Sequence, residues 1–450
     1  MWQTAPTYLE AAEAAARWIR STAREAEHGL VWQPDPDQPD KGATVTAPQT
    51  IYSGNAGIVL FFLELARATG DDSYLHNARR GADQIAATWR EVLDFPFLVP
   101  LDNVALDFNH GLAGTAFALA MAAEATGASA HREAALAITR HIVAAARPAG
   151  AGVEWTGAAS AALGDGAIAL YLLWAARCFD DRALLDLAVR AGERILEVGE
   201  PDPRGGTKWV GFPFETLGMK AGSYMPNFEF GTAGVAYVLA RLYDEAGDRR
   251  FLDAARAGAA HVQAIATVRD GAALLHLQEP DMTDLFYLGY CGGPVGTIRP
   301  FYELGRLTGE PGYAAWAARF ARGVMASGAP ERQTPGLWNV VCQCCGTAGI
   351  IDLFTSLWVA TGQQAYLDYA KRTADQTLSR ATDLDGKGSR WYQAWTRTQP
   401  WNVTAETGYM IGAAGVGAAC LHLHLAEQGR YEAILFPDNP FPRRALRATA

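Results

Sequence analysis

The sequence has little charge, little cysteine and no long apolar run, and each shortage excludes a class of protein. Charged residues make up 19% of the 450 residues, and 38 basic against 48 acidic side chains give a net charge of −10. A chain without a basic excess lacks the electrostatic footprint of nucleic-acid binding, so we expect no nucleic-acid partner. No segment reaches the roughly 18 consecutive apolar residues of a membrane span. Residues 1–6 lack the basic start and apolar core of a secretory signal, so we expect a cytoplasmic protein.

Six cysteines in 450 residues are too few for a disulfide scaffold. Cys178 and Cys420 lie in apolar, helix-forming stretches, where cysteine usually behaves as a small apolar residue. In contrast, Cys342, Cys344 and Cys345 fall within four positions of one another. This clustering predicts metal or thiol chemistry.

A Gly-x-x-Gly motif followed by an apolar, helix-forming run recurs along the chain. A degenerate copy, Leu163-Gly164-Asp165-Gly166, brings the number of repeats to seven, and the spacing between repeats is 52 to 68 residues when this copy is counted from Leu163. The first glycines of the complete copies are Gly54, Gly111, Gly231, Gly293, Gly346 and Gly412. A regular period of this length is typical of repeat architectures.

The apolar runs tend to end in a polar turn around a glycine, as at Thr69-Gly70-Asp71, and a second helical pattern then begins. One repeat is therefore a helical hairpin. The helices after the motifs are apolar on nearly all sides, which predicts that they are enclosed. Because such units bury their apolar faces only against neighbours, we predict an all-α fold: an (α/α)7 toroid of seven helical hairpins. A single domain would span residues 1–450, with repeats over about 45–425, a short N-terminal helix and a C-terminal tail.

Three cysteines stand directly before the motif glycines of adjacent repeats. With the first glycine of each motif numbered 0, Cys291 occupies position −2 of the fifth repeat. Cys344 and Cys345 occupy positions −2 and −1 of the sixth. Three thiolates at one end of a ring, with a fourth position open, match a catalytic zinc site. Cys342 remains open as a spare thiol, a redox partner or a fourth ligand.

Candidate acid and base groups precede the motifs of other repeats. Asp107 and His110 stand at positions −4 and −1 of the second repeat, and Glu229 at position −2 of the fourth. A carboxylate or an imidazole near a metal is a candidate for proton transfer. Aspartate at the start of a helix is also a common N-cap, so both interpretations of Asp107 stay open.

The seven hairpins, with Tyr-Cys-Gly-Gly at 290–293 and Cys-Cys-Gly at 344–346, resemble the lanthionine synthetase C-like cyclases over about residues 45–425. The resemblance implies an (α/α)7 toroid and a Zn²⁺ ion held by Cys291, Cys344 and Cys345. Cys345 takes the place of the usual histidine, which is similar to the three-cysteine variant of the family. Tyr290 replaces the usual tryptophan.

The resemblance also bears on the acid and base groups. Asp107 matches the aspartate that the family is proposed to use in protonation. Phe230 occupies the position of the family's acid/base histidine, and phenylalanine cannot transfer a proton. His110, Glu229, Asp107 or a water molecule would have to replace that histidine.

By this resemblance the chain is expected to be a stand-alone lanthipeptide cyclase. It would add a cysteine thiol of a dehydrated precursor peptide to dehydroalanine or dehydrobutyrine, which forms a (methyl)lanthionine thioether. A separate dehydrating enzyme, a kinase/lyase or a dehydratase, would supply the substrate. One alternative is a non-catalytic member that binds a peptide or thiol or docks a partner. Another is a carbohydrate-active toroid that pairs carboxylates such as Asp165 with aromatic platforms.

Several aromatic residues precede the sixth and seventh motifs. They would either line a peptide groove or pack at the rim of the ring. These residues are Trp338, Trp391, Tyr392, Trp395 and Trp401.

Overall fold

The computed structural model describes residues 7–38, 47–97, 101–212, 215, 220–279, 285–332, 340–396 and 399–442. These residues contain fourteen α-helices, numbered in chain order and arranged as an inner and an outer set. The inner helices, each of 15 residues, are α2 (Asn55–Thr69), α4 (Leu112–Thr126), α6 (Asp165–Phe179), α8 (Thr232–Ala246), α10 (Pro294–Thr308), α12 (Thr347–Thr361) and α14 (Ala413–Glu427). The outer helices are α1 (Tyr8–Ser21), α3 (Asp72–Thr88), α5 (Ser129–Ala144), α7 (Arg182–Glu197), α9 (Arg249–Ile265), α11 (Pro311–Ala326) and α13 (Gln364–Ser379).

The inner helices form a closed ring. Each packs against the next inner helix, and α14 packs against α2. Six of the inner helices pair with the outer helix that follows them, whereas α14 pairs with α1 from the other end of the chain. The predicted all-α toroid of seven hairpins is confirmed, and its seventh hairpin joins the first and last helices. The N-terminal helix is therefore part of the ring.

Burial follows the apolar composition of the inner helices. In α2, every residue from Asn55 to Leu65 is buried. The second motif glycine is required by a close backbone approach: a Cβ at Gly114 would lie 1.9 Å from the carbonyl oxygen of Phe108, and one at Gly234 would lie 1.9 Å from that of Phe228. The glycine thus lets the preceding turn lie over the start of its helix.

The structure corrects the start of the third repeat by one residue. Gly164 is the N-cap of α6, as Gly111 is of α4. The repeat therefore starts at Gly164 and not at Leu163. The degenerate motif hides this, because its second glycine, Gly166, lies two residues after the first instead of three.

Short antiparallel hairpins join the helices. They are β1 (Ala23–Glu25) with β2 (Leu30–Trp32), β3 (Arg147–Ala149) with β4 (Gly152–Glu154), β5 (Glu200–Pro201) with β6 (Thr207–Lys208), β7 (Val210–Phe212) with β8 (Ser223–Tyr224), β9 (Thr267–Arg269) with β10 (Ala272–Leu274), and β11 (Gln393–Thr396) with β12 (Gln399–Thr404). Within the described parts of the chain, no helix is long and apolar enough to cross a membrane.

The C-terminal tail after α14 lies inside the ring. The Phe436 ring packs against Phe108 and Phe117 of the second repeat and against Tyr409 of the seventh. Asp438 accepts hydrogen bonds from the Tyr290 hydroxyl at 2.7 Å and from Arg299 at 2.6 Å. The tail therefore packs beneath the turns that precede the inner helices.

Candidate metal centre

A ring of backbone hydrogen bonds brings the position −2 residues together. The bonds run from the N–H of Tyr52 to Asn109 O (2.9 Å), Ala162 to Glu229 (2.8 Å), Glu229 to Cys291 (3.1 Å), Cys291 to Cys344 (3.2 Å), Cys344 to Met410 (2.9 Å) and Met410 to Tyr52 (2.9 Å). Between the second and third repeats, the Leu163 N–H donates to Asp107 Oδ1 at 2.8 Å. Residues far apart in sequence thus meet at one end of the toroid.

Three sulfur atoms lie together on this ring. The Sγ of Cys345 is 3.0 Å from that of Cys291 and 3.6 Å from that of Cys344. All three lie within 4.8 Å of one another, and no other group of three potential metal ligands is found among the described residues. Cys291 and Cys344 are buried and Cys345 is partly exposed.

The three sulfurs are close enough to share one metal ion. A Zn–S distance of about 2.3 Å with tetrahedral angles places sulfurs about 3.8 Å apart; the separation between Cys344 and Cys345 is close to this at 3.6 Å, and that between Cys291 and Cys345 is shorter at 3.0 Å. A disulfide would need about 2.05 Å, and all three cysteines are free thiols. Hydrogen bonds from the Cys344 and Cys345 thiols lower the pKa of Cys291 to about 7. In turn, the hydrogen bond to the Cys291 sulfur raises the pKa of both neighbours. Three thiols this close together compete for ionisation. A cation that binds sulfur would neutralise the negative charge of their thiolates.

Cys342 lies next to this trio but has another role. Its Sγ accepts a hydrogen bond from the Cys345 N–H at 3.4 Å. Burial raises the pKa of Cys342 to about 12. The side chain therefore supports the turn that carries Cys345. The other two cysteines, Cys178 and Cys420, lie in α6 and α14, outside the trio.

The Asp107 carboxylate holds His110 and links two repeats. Oδ2 accepts from the His110 backbone N–H and from the ring Nδ1, both at 2.9 Å. Oδ1 accepts from Leu163. The N-cap of α4 is Gly111, which makes no side-chain cap, so the interpretation of Asp107 as a helix N-cap is wrong. The His110 ring Nδ1 is hydrogen-bonded to Asp107. A proton exchanged with a substrate would therefore pass through the other ring nitrogen, Nε2.

Glu229 lies against the sulfur trio. Its Oε2 is 3.8 Å from Cys344 Sγ, and only 2% of its surface is exposed. Burial, followed by the charges of Cys344 and Asp107, raises the pKa of the Glu229 carboxyl well above its usual value. The three predicted acid/base candidates thus lie on the same ring as the sulfurs.

Tyr52 is a further member of this site that the motif patterns do not single out. Its ring stacks on that of His110 at a centroid distance of 4.3 Å. Burial, followed by the charges of nearby Cys344 and Cys345, raises the pKa of its hydroxyl. The signal in the sequence is its position, −2 in the first repeat, which matches that of Glu229, Cys291 and Cys344. Tyr52 therefore connects His110 to the trio.

Asp165 is not available as a catalytic carboxylate. Its oxygens accept hydrogen bonds from the backbone N–H groups of Trp155, Thr156 and Gly157 at 2.8–3.2 Å, and it is 3% exposed. It anchors the loop before α6. The carbohydrate-enzyme alternative loses one of its candidate groups.

The aromatic residues near the sixth and seventh repeats divide into three groups. Trp391 is 4% exposed and packs in the rim. Tyr392 and Trp401 are exposed, the latter by 76%. Trp338 and the side chain of Trp395 lie outside the described residues.

Phe230, which follows Glu229 in the sequence, is partly buried.

Comparison with known proteins identifies relatives of this arrangement. The sequence model described as "Lanthionine synthetase C-like protein" matches residues 46–436. Nisin cyclase is similar in structure, with a TM-score of 0.60 at 13% identity over 92% of this chain and 93% of that one; at such identity the likeness shows the fold. An α-1,6-mannanase variant from Salegentibacter sp. has a TM-score of 0.46 at 14% identity, over 94% and 99% of the two chains. A sugar epimerase from a ruminal bacterium has the same TM-score at 13% identity, over 94% and 99%. No curated protein sequence matches.

Proposed function

The chain belongs to the lanthionine synthetase C-like family, and we propose that it is a zinc-dependent lanthipeptide cyclase. The proposed reaction adds the thiol of a peptide cysteine to dehydroalanine or dehydrobutyrine, which forms a lanthionine or methyllanthionine thioether. The observation that carries the proposal is the trio of sulfurs from two adjacent repeats, within 4.8 Å of one another and with Cys345 partly exposed. The carbohydrate-enzyme alternative does not account for that trio.

Cys291, Cys344 and Cys345 would hold the Zn²⁺ ion and leave one coordination position for an incoming thiol. The ion would supply Lewis acidity that keeps the substrate sulfur in its reactive thiolate form at neutral pH. Tyr52 and Glu229 lie beside Cys344. The Cys342 sulfur accepts a hydrogen bond from the Cys345 backbone N–H. These three residues would keep the ligands in place, as partners of metal ligands do.

His110 is the best candidate for the proton donor. Addition forms a carbon–sulfur bond at the β-carbon, and the electron pair of the double bond moves to the α-carbon and its carbonyl as an enolate. That α-carbon then needs a proton, which His110 would give from Nε2. The bond from Nδ1 to Asp107 orients the imidazole, as in other Asp–His pairs. The dyad would thereby replace the acid/base group missing at Phe230.

The substrate would be a peptide that already carries dehydrated serine or threonine. We infer that a dehydrating enzyme, a kinase/lyase or a dehydratase, prepares this substrate, because the proposed addition consumes a double bond that it does not itself create.

A two-part experiment tests the proposal. Zinc would be quantified in the purified chain, which would then be incubated with a synthetic peptide carrying one dehydroalanine and one cysteine. Cyclisation leaves the peptide mass unchanged but removes its free thiol, so labelling with N-ethylmaleimide after removal of the protein distinguishes product from substrate. We expect bound zinc and loss of the peptide thiol. Zinc with an unchanged thiol would favour the non-catalytic peptide-binding alternative that Phe230 suggests.

A further inference from the structure

The C-terminal tail is bonded to the turn that carries the first cysteine of the sulfur trio. Tyr290, the residue before Cys291, is 4% exposed, and its hydroxyl donates a 2.7 Å hydrogen bond to Oδ2 of Asp438. In the sequence, 148 residues separate Tyr290 from Asp438. The bond therefore attaches the Cys291 turn to a segment that lies after the last inner helix.

Arg299 is bonded to the same carboxylate. Its Nη1 donates to Asp438 Oδ2 at 2.6 Å and to the Asp438 backbone carbonyl at 3.0 Å. The guanidinium carbon also lies 4.6 Å from the centre of the Tyr290 ring, a distance at which a cation is attracted to an aromatic face. Because Arg299 lies in α10, the helix that follows the Cys291 turn, Asp438 joins that turn to its own helix. We call Tyr290, Arg299 and Asp438 the tail brace.

The tail brace also contacts the turn of the preceding repeat. The Phe228 ring centre lies 5.4 Å from that of Tyr290 and 5.2 Å from the Arg299 guanidinium carbon. Phe228 is followed by Glu229, whose backbone N–H donates to the Cys291 carbonyl at 3.1 Å. The backbone of Cys291 is therefore held both through its own neighbour Tyr290 and through the Glu229 turn.

Stability alone does not account for these buried charges. The side chains of Arg299 and Asp438 are 15% and 12% exposed, and desolvation of buried charges offsets much of their attraction. Among the described residues, Asp438 Oδ1 and Arg299 Nε have no protein hydrogen-bond partner, so the protein itself does not repay the full cost of their burial. The pair does impose a direction, because a carboxylate oxygen shared by two short hydrogen bonds fixes where the Tyr290 hydroxyl lies.

We propose that Asp438 is a positioning residue for the candidate metal centre, which acts through Tyr290 and Arg299 to hold Cys291 in line with the other two sulfurs. The inference rests on the proposed metal centre and adds to it a residue from outside the seven repeats. A tilt of the Tyr290 side chain would move the adjacent Cys291, and a site with only three protein ligands is sensitive to the position of each. Residues that orient metal ligands typically change metal affinity about 10- to 100-fold when they are replaced.

Zinc affinity tests the tail brace. The full chain, stripped of metal, would compete for Zn²⁺ with a chromophoric chelator. We expect Tyr290→Phe to raise the zinc Kd about tenfold, and Asp438→Ala, which also releases Arg299, to raise it by at least as much. The double variant should raise it no further than Asp438→Ala, because the two residues act through one bond. Asp438→Asn keeps an oxygen acceptor for the Tyr290 hydroxyl and should recover part of the loss.

Tyr237→Phe is the matched control. Tyr237 is a buried tyrosine of α8, and its hydroxyl donates to the carbonyl of Pro437, the residue before Asp438, at 3.2 Å. The variant removes a hydroxyl bond to the same tail, but from a helix residue and not from a cysteine turn. We expect it to lower the Tm of the metal-free chain about as much as Tyr290→Phe and to leave the zinc Kd unchanged.

Cobalt substitution reports the geometry of the ligands separately from affinity. Co²⁺ held by thiolates has visible absorption bands whose position and intensity depend on the arrangement of the ligands. We expect altered bands in Tyr290→Phe and Asp438→Ala, and wild-type bands in Tyr237→Phe. Tyr290→Phe keeps the aromatic ring, so it decides the outcome if Asp438→Ala does not fold.

The outcomes separate the tail brace from the proposed function. Equal zinc Kd values and identical cobalt spectra for the wild type and Tyr290→Phe would overturn the brace, even if thioether formation is observed. An equal rise of the Kd in Tyr237→Phe would also overturn it, because the tail would then act through stability alone. Altered affinity and spectra without thioether formation would support the brace and remove the cyclase. A wild type that binds neither metal would overturn both.

Discussion

The Sγ of Cys345 lies 3.0 Å from the Sγ of Cys291, although 54 residues separate them in the sequence. Each belongs to the turn before an inner helix, and the backbone hydrogen bond from Cys291 to Cys344 aligns the two turns. The toroid therefore brings equivalent positions of neighbouring repeats within bonding range of one ion. The same alignment places Tyr52 and Glu229 beside Cys344.

Removal of one sulfur should abolish metal binding. Cys291→Ala leaves two thiols, too few for the three protein ligands that a catalytic zinc site needs, so we expect zinc content to fall from about one ion per chain to near zero. Zinc would be measured by atomic emission after dialysis. Cys178→Ala, at a half-buried cysteine in α6 outside the trio, is the control and should keep its zinc. A zinc-replete Cys291→Ala protein would contradict the assignment of the ligands.

Loss of the imidazole should slow the reaction without loss of the metal. His110→Ala removes the proposed proton donor, and we expect kcat for thioether formation to fall by about 10²- to 10³-fold. Zinc content should stay at the wild-type value. The exposed His28 provides the control substitution His28→Ala, which should have no effect. If His110→Ala retains full kcat, proton donation would have to come from another group.

The third sulfur should make the site faster than the usual two-cysteine, one-histidine set. Three thiolates give the ion a net charge of 2 − 3 = −1, against 0 with two thiolates and an imidazole, so the substrate thiolate is held less tightly and is more nucleophilic. We expect Cys345→His to lower the rate of thiol addition by about tenfold, or ~1.4 kcal/mol in the barrier. Single-turnover rates at equal zinc occupancy would measure this. A faster variant would refute the charge argument.

A buried histidine outside the sulfur trio should make stability fall at high pH. His422 lies between Glu64 Oε2 at 3.0 Å and Asp352 Oδ1 at 2.8 Å. Burial disfavours its charged form, but the two carboxylates outweigh burial and raise its pKa to about 10. A folded-state pKa above the unfolded value of about 6.5 means that the stabilisation is complete below pH 6.5 and is lost as the pH rises through 10.

The measurement is the free energy of unfolding in urea from pH 6.5 to 10 for the wild type and for His422→Gln. Their difference isolates this histidine from the tyrosines and cysteines that also titrate. We expect the difference to shrink by up to ~4 kcal/mol across that range. A difference that stays constant with pH would mean that the imidazolium does not stabilise the fold.

Much of the fold could be predicted from local patterns. The glycine motifs and apolar runs mark the starts of the inner helices, because close backbone approach and burial each leave a local signature. Turn glycines such as Gly70 end the same helices in the left-handed conformation, with φ +73, which glycine adopts at little cost. The trio of Cys291, Cys344 and Cys345 could also be predicted, since its members occupy positions −2 and −1 before adjacent motifs.

Other features depended on which surfaces meet. The sequence alone determined the hairpins, their number and the residue types at the mouth of the ring, because helix periodicity, turn chemistry and repeat position are properties of short segments. Only the tertiary structure decided that α1 completes the ring against α14, that the Asp107 carboxylate connects His110 with Leu163, and that the tail with Asp438 fills the interior. These contacts join segments with no common motif, so shape and hydrogen-bonding complementarity in the assembled ring, and not any local pattern, select them.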